Sequence, residues 1–286
     1  MGRTPAAPLT RRAIAEALRS LDLKTGGVVF VHSSLSSIGE VAGGGDAVVD
    51  ALLDVLGPDG TLAVPTFTSS IRKRGLLYDP ATSPSEVGRI TEVVRNRSEA
   101  FRSLHLWQSM SALGRRAEEM MSIHRPAAWA ADGPFWKLYE WDAQILLLGV
   151  PYFRSTFWHL IEQMVQPAYG RWRESTGRVK NPDGSESPLV ERTFGPRPGY
   201  SHDFNKLGAR LEALGYVSIG TVGNAMARLY RARDAFESGV AEFRKDPMLL
   251  LKTGETLTQL RDGVIVGEYN NEKSVVDPEA AYKLYE

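Results

Sequence analysis

Two ionisable residues, His159 and Glu162, lie three positions apart in the apolar stretch STFWHLIEQ, residues 155–163. In a helix, which Ser155 or Thr156 would cap, this spacing places both side chains on one face. The carboxylate can then accept a hydrogen bond from the imidazole, which orients the ring and makes it a better general base near neutral pH. A histidine packed in the core explains the same residues, so the stretch alone leaves catalysis and packing open.

The composition removes several other chemistries. The chain contains no cysteine, so disulfides, thiolate metal sites and cysteine nucleophiles are excluded. No HExxH pattern supplies further zinc ligands, and we therefore expect no metal. The doublets Ser33-Ser34 and Ser36-Ser37 lack the G-x-S-x-G context of an activated serine, which argues against a serine nucleophile.

Two further segments could bind phosphate groups. The loop VHSSLSSIGEVAGGG, residues 31–45, offers hydroxyls and backbone N–H groups between a strand and a helix. It lacks the Walker and GxGxxG spacings, so a polar turn explains it equally well. Arg97, Arg102, Ser103 and His105 form either a second phosphate clamp or a solvated basic turn.

The elements that must position these residues alternate between strand and helix. Three apolar runs, GGVVFVHSSL, GTLAVPTFT and DAQILLLGV, predict strands buried on both faces. GGGDAVVDALLDVLGPDG predicts a helix between the first two, hence a parallel pair, and TRRAIAEALRSL predicts a helix capped by Thr10. We therefore expect an α/β fold with a mixed central sheet flanked by helices, in a single domain over residues 1–286.

Later segments carry further structural predictions. Ser83, Pro84 and Glu86 match a capping box and predict a helix that begins there. The stretch from Gly170 to Tyr200, rich in glycine, proline and charge, predicts a hairpin and loops laid over the domain. HDFNKLGARLEAL and TVGNAMARLYRARDAFESGVAEFRKD predict helices, and GVIVGEYNN predicts a late strand or hairpin.

The charge balance indicates a small-molecule partner. Thirty-four basic and 34 acidic residues give a formal net charge of zero, which argues against a nucleic-acid polymer or a membrane surface. The sequence shows no signal-peptide core and no apolar run near the roughly 20 residues that span a bilayer. We expect a cytoplasmic protein, and a homodimer is compatible with these features.

Taken in order, several motifs resemble the aminoglycoside 3-N-acetyltransferase family, also called the antibiotic N-acetyltransferases. They cover most of residues 10–230 and read VHSSLSSIGEVAGGGDAVVDALLDVLGPDGTLAVPTFT, DPATSPSEVGRITEVVR, FRSLH, SALG, LLLGV, TFWHLIE and IGTVGNAMARL. The resemblance implies transfer of an acetyl group from acetyl-CoA to an amine, on a fold distinct from the GCN5-type acetyltransferases. It also implies that His159 is the catalytic base and that Glu162 orients it.

The resemblance further implies an acetyl-CoA site. Its members would be the serine loop and the Arg-Ser pair, namely His32, Ser33, Ser34, Leu35, Ser36, Arg102 and Ser103. Since no cysteine exists, the amine would attack the thioester directly in a ternary complex. Thr156 or a backbone N–H is our candidate donor to the developing oxyanion.

Departures from the family concern the acceptor. Many aminoglycoside-modifying members have Asp and Asn before the catalytic Thr, and Ala and Tyr around the Glu. Here those places hold Phe153, Ser155, Ile161 and Gln163. Because the acidic character is weakened, we expect Phe153 to contact a different amine.

Basic residues after the catalytic block also indicate an acceptor other than a polycation. Arg171, Arg173 and Arg178 suit a phosphate, phosphonate or carboxylate better than a polycation, unless they simply face water. We therefore expect a primary amine with an anionic group, as in the family branch that acts on a nucleotide-linked aminoalkylphosphonate. The alternatives are an aminoglycoside, which would mean antibiotic resistance, and a CoA-binding regulatory protein that has lost activity.

Overall fold

Apolar side chains that alternate along one strand explain why helices cover both faces of the sheet. In the computed structural model, which describes residues 7–252, Phe30 of strand β1 (Val28–Ser33) packs in one core, and Val29 and Val31 pack in the other. Successive strand side chains point to opposite faces, so a continuous apolar run needs cover on both sides. The predicted burial of this strand on both faces is confirmed.

The described residues form ten β-strands. They are β1 (Val28–Ser33), β2 (Thr61–Pro65), β3 (Leu77–Tyr78), β4 (Phe101–Arg102), β5 (Met110–Gly114), β6 (Gln144–Leu148), β7 (Gly170–Lys180), β8 (Glu186–Pro196), β9 (Val217–Val222) and β10 (Ala225–Arg231). Seven strands build a mixed sheet in the order β4-β5-β2-β1-β6-β10-β9, with β2, β1 and β6 parallel. The parallel β1 and β2 pair is the predicted strand-helix-strand unit. Strands β3, β7 and β8 form a second sheet, and β7 and β8 are the predicted hairpin.

Ten α-helices accompany the strands in the described residues. They are α1 (Arg11–Ser20), α2 (Leu35–Ile38), α3 (Gly44–Leu56), α4 (Ser69–Arg74), α5 (Arg89–Arg95), α6 (Ala117–Met121), α7 (Pro134–Glu140), α8 (Trp158–Val165), α9 (Asn205–Ala213) and α10 (Ala232–Lys245). Helices α1, α3 and α5 cover one face of the mixed sheet, and α6 to α10 cover the other. The expected α/β class, with a mixed sheet flanked by helices, is confirmed. Every helix within residues 7–252 is too short or too polar to span a membrane.

One predicted helix start is wrong. The helix expected from Ser83 begins at Arg89. The Glu86 carboxylate accepts hydrogen bonds from the Ser69 hydroxyl and the Ser70 backbone N–H, so it caps the first turn of α4 instead of its own segment. Gly88, at φ +141°, then leads into α5 in a conformation that other residues rarely adopt.

A second prediction is wrong over half its length. The segment from Thr221 to Arg231 is not helical, because Gly223 and Asn224 form the turn of a hairpin between β9 and β10. Gly223 has φ +58°, and a Gly-Asn pair between apolar runs is a hairpin signal that the helical spacing masked. The predicted helix is present only as α10, while the strand expected in GVIVGEYNN lies outside the described residues.

Candidate active site

A cavity of about 1000 Å³ opens at the carboxyl ends of β1, β2 and β6. Open α/β sheets bind ligands at this edge. The predicted residues that line it are His32, Ser33, Ser34, Leu35, Ser36, Phe153, Thr156 and His159. The structure thus brings together the serine loop and the catalytic block, which are more than a hundred positions apart in the sequence.

The paired His159 and Glu162 lie on the same face of α8, as their spacing predicts. The imidazole Nδ1 is 3.0 Å from Oε2 of the carboxylate. The helix begins at Trp158 and has no side-chain cap. Ser155 does not cap it because its hydroxyl lies 2.9 Å from the Tyr230 hydroxyl in the core.

Aromatic rings fix the plane of the His159 imidazole. Trp129 packs at 4.6 Å and 37° from it, and Phe204 packs edge-on at 4.8 Å. Burial lowers the pKa of His159, against the opposing effect of Glu162, so the ring is neutral at neutral pH. Because Nδ1 is bonded to the carboxylate, Nε2 is the nitrogen left to accept a proton from a group in the cavity.

A second histidine, His202, completes this network. Its Nε2 lies 2.6 Å from Oε1 of the buried Glu162, so the carboxylate bridges two imidazoles. Burial would raise the pKa of Glu162, but the two histidines outweigh it and bring the pKa to about 2. Sequence reasoning missed His202 because it lies 40 positions from Glu162, in a segment read only as a helix start.

The third histidine of the cavity, His32, supports Thr156. Its Nε2 accepts a hydrogen bond from the Thr156 backbone N–H at 3.2 Å. Burial lowers the pKa of His32 to about 3, which keeps the ring in the neutral form that can accept. The Thr156 N–H is therefore occupied. Its hydroxyl, buried and without a partner in the described part of the chain, is the donor that remains.

The serine loop presents hydroxyls to the cavity. Ser34 lies 3.2 Å from Ser36, and Ser37 donates to Ser34 at 2.9 Å. The short helix α2 separates β1 from the predicted glycine-led helix α3. Because hydroxyl groups can rotate, this loop is suited to hold the polar parts of a cofactor.

Two residues predicted to bind CoA, Arg102 and Ser103, do not line the cavity. The Arg102 guanidinium donates to the carbonyls of Thr66, at 2.8 Å, and of Ser83. The Ser103 hydroxyl accepts from the Met110 N–H at 2.9 Å. Both side chains thus satisfy the interior backbone, so the structure gives their assignment to the cofactor no support.

The rest of the expected clamp is also engaged elsewhere. Arg97 forms ion pairs with Asp46 and Asp50, and His105 lies 2.9 Å from Glu191. These residues are near each other along the chain, but carboxylates from other segments pair with Arg97 and His105.

The hairpin arginines predicted to bind substrate lie outside the cavity lining as well. Arg178 pairs with Glu186 at 2.5 Å, Arg173 donates to a backbone carbonyl at 2.8 Å, and Arg171 lies on the same strand, β7. The arginines that do line the cavity are Arg89 and Arg154, both exposed and without an ion pair among residues 7–252. Sequence reasoning missed them because neither belongs to a charged cluster.

His159, Glu162 and His202 bring three ligand atoms within 4.8 Å of one another, which raises the question of a metal. The two nitrogen-to-oxygen distances are 3.0 and 2.6 Å. Two ligands of a tetrahedral zinc ion lie about 3.4 Å apart. The shorter distances match N–H···O hydrogen bonds, so the three side chains form a hydrogen-bonded network.

Comparison with known proteins identifies the family. Residues 30–244 match the family described as Aminoglycoside 3-N-acetyltransferase. The chain is 30% identical to aminoglycoside N(3)-acetyltransferase VII of Streptomyces paromomycinus, over 82% of this chain and 91% of the relative. It is 30% identical to aminoglycoside N(3)-acetyltransferase IV of a Salmonella species, over 83% and 88%.

The fold agrees with these sequence matches. The crystal structure of aminoglycoside acetyltransferase AAC(3)-Xa superposes with a TM-score of 0.77 at 30% identity, covering 85% of this chain and 94% of that one. The chain therefore belongs to the aminoglycoside 3-N-acetyltransferase family and is an acetyl-CoA-dependent N-acetyltransferase.

Proposed function

We propose that the enzyme acetylates a primary amine of a small molecule and that His159 is the general base. The observation that carries this proposal is the orientation of the His159 ring at the cavity. Glu162 holds Nδ1 at 3.0 Å, and only Nε2 is left for the substrate. General-base catalysis needs a neutral ring near the operating pH, which the lowered pKa of His159 supplies.

The residues of the cavity divide the work of acetyl transfer. Acetyl-CoA, when bound, supplies a thioester carbonyl that the amine attacks. His159 Nε2 takes the proton that the nitrogen loses as the N–C bond forms, and returns it to the sulfur as the C–S bond breaks. The unpartnered Thr156 hydroxyl donates to the carbonyl oxygen as negative charge develops there. His32 keeps Thr156 in place through the backbone.

The charges of the lining support an acceptor that carries an anionic group. Apart from its histidines, the lining contains Arg89 and Arg154 and the single carboxylate of Glu86. The Glu86 oxygens already accept from the Ser69 hydroxyl and the Ser70 N–H, so they are poorly available to an ammonium group. Two arginines with no ion pair within residues 7–252 suit phosphate, phosphonate or carboxylate.

The two arginines sit at different parts of the cavity. Arg89 begins α5 next to Gly88, where a Cβ would lie 3.8 Å from the Ser33 carbonyl, so it adjoins the serine loop. We assign it to the CoA phosphates. Arg154 precedes Thr156 by two residues, and we assign it to the anionic group of the acceptor.

Release of free CoA thiol from acetyl-CoA, measured with a panel of amines, tests this function. We expect turnover of 3-aminopropylphosphonate and little turnover of kanamycin. Arg154→Ala should raise KM for the aminophosphonate about 10-fold, as expected for loss of one charged contact. The matched control Arg178→Ala, which lies outside the cavity lining, should leave KM unchanged. Turnover of kanamycin alone would contradict the proposed acceptor.

An aminoglycoside is the second candidate acceptor. The names of the relatives at 30% identity favour it, since they are aminoglycoside N(3)-acetyltransferases. A polycation needs carboxylates, and in the described lining only Glu86 provides one. Efficient acetylation of kanamycin that is insensitive to Arg154→Ala would establish this alternative.

A further inference from the structure

We propose that His202 is a positioning residue that shares the Glu162 carboxylate with His159 and so sets the lower limit of the pH range in which His159 acts as base. The inference rests on the proposed role of His159. It goes beyond a histidine and glutamate pair by adding a third member, from a separate part of the chain.

The Glu162 carboxylate is enclosed and divided between two donors. Its side chain is 1% exposed, Oε2 faces His159 and Oε1 faces His202. A buried carboxylate oxygen without a donor loses its hydration without compensation. His202 therefore keeps Glu162 ionised and fixes the direction of the oxygen that orients His159.

The position of His202 does not depend on a bound substrate. Its ring stacks on Phe204 at 4.6 Å and 20°. The backbone beside it is tied to a neighbouring segment, with Asp203 donating to the Leu250 carbonyl at 2.7 Å and Lys252 donating to the Ser201 carbonyl at 2.9 Å. The histidine is thus held ready in the free enzyme.

The charges around the pair determine the sign of the effect. Burial is the main cause that lowers the pKa of His159, and a positive charge on the His202 ring, whose centroid lies 5.2 Å from that of His159, lowers it further. Glu162, on the same helix, opposes this, and Arg173 of β7 interacts electrostatically with Glu162. Trp129 and Phe204 add no charge. When His202 is protonated it disfavours a second proton on His159, so the base stays neutral at lower pH.

Two substitutions separate this role from a merely structural one. His202→Gln keeps an N–H donor near Glu162 but cannot carry a positive charge, whereas His202→Leu removes both the donor and the charge. In His202→Gln the pKa of His159 should rise, so that the ring is protonated at a higher pH and the acid limb of kcat/KM moves up by about one pH unit. His202→Leu should lower kcat about 10-fold, while KM for acetyl-CoA stays unchanged.

An NMR titration of the imidazole rings gives a readout that needs no turnover. The chain has five histidines, so the His159 signal can be assigned with single variants. We expect its midpoint to rise in His202→Gln and to stay unchanged in the control His124→Gln, whose ring lies 3.3 Å from the Leu104 carbonyl and outside the cavity lining.

The outcomes distinguish this inference from the proposed function. A His159 titration that is identical in wild type and both His202 variants overturns the inference, whatever the activity. A His159→Gln variant as active as wild type overturns the proposed function, while the NMR shift still decides whether His202 acts on His159.

Discussion

Two histidine and glutamate pairs in this protein have the same composition but different surroundings. His159 and Glu162 are 3.0 Å apart at the cavity, and His105 and Glu191 are 2.9 Å apart under the β7 and β8 hairpin. The His159 side chain is 23% exposed, whereas that of His105 is 4% exposed. This difference in exposure means that only the His159 pair can contact a substrate.

The ring nitrogens are also used differently. His105 Nδ1 accepts from the Gln108 N–H at 2.9 Å, and the Glu191 carboxylate accepts from the Leu106 N–H, so this pair holds a turn and the hairpin together. Its Nε2 is buried and has no partner in the described residues. In the cavity, by contrast, the carboxylate occupies Nδ1 and leaves Nε2 open. A histidine beside a carboxylate therefore indicates a base only when its second nitrogen reaches a ligand site.

The largest expected effect is on the cavity pair. His159→Gln removes the base, so kcat should fall about 1,000-fold, within the range for general acid-base catalysis. The free energy of unfolding should change by less than about 1 kcal/mol because the ring is partly exposed. Initial rates and urea unfolding measure both quantities. A variant that retains a tenth of the activity would contradict the assignment.

For the buried pair of His105 and Glu191 we expect the reverse, a loss of stability with unchanged catalysis. Glu191→Ala leaves the Leu106 N–H without its acceptor in the interior and removes the carboxylate that packs beside His105, so the free energy of unfolding should fall by about 3 kcal/mol. The kcat of the folded fraction should match wild type. Loss of kcat at unchanged stability would mean that the two pairs are coupled and that the comparison fails.

The smallest expected effect is that of Glu162→Gln, which tests the charge of the carboxylate separately from its shape. Glu162→Gln keeps an oxygen that can accept from His159 Nδ1 but removes the negative charge that stabilises the imidazolium. We expect kcat to fall about 10- to 30-fold, or roughly 1.4 to 2 kcal/mol in the activation barrier. Steady-state kinetics at pH 8 measure this, and Glu191→Gln, with an unchanged kcat, is the matched control.

The parts that sequence reasoning predicted are those set by neighbours along the chain. The β1 strand follows from its own apolar residues, and the bond between His159 and Glu162 follows from helical spacing. The predictions failed where a distant partner decides. Glu86 caps a helix that precedes it, and Arg102 satisfies carbonyls of other loops.

Two features of the site could not be predicted from the sequence, for the same reason. His202 reaches Glu162 only after the chain has passed through the hairpin. Arg89 and Arg154 become candidate binding residues only when the sheet edge brings their segments to one cavity. Their residue types carry no signal until the tertiary structure is known.

The order of strands in the mixed sheet has a consequence for folding. β1 pairs in parallel with β6, with Val29 opposite Gln144, and β6 pairs in turn with β10. Loops of this length must close before the central strands gain their contacts, which makes such topologies slow to fold. During synthesis, more than a hundred residues must be added after β1 before its partner strand β6 is complete. Because the cavity lining also includes His202 and Phe204, catalytic activity is a late marker of folding.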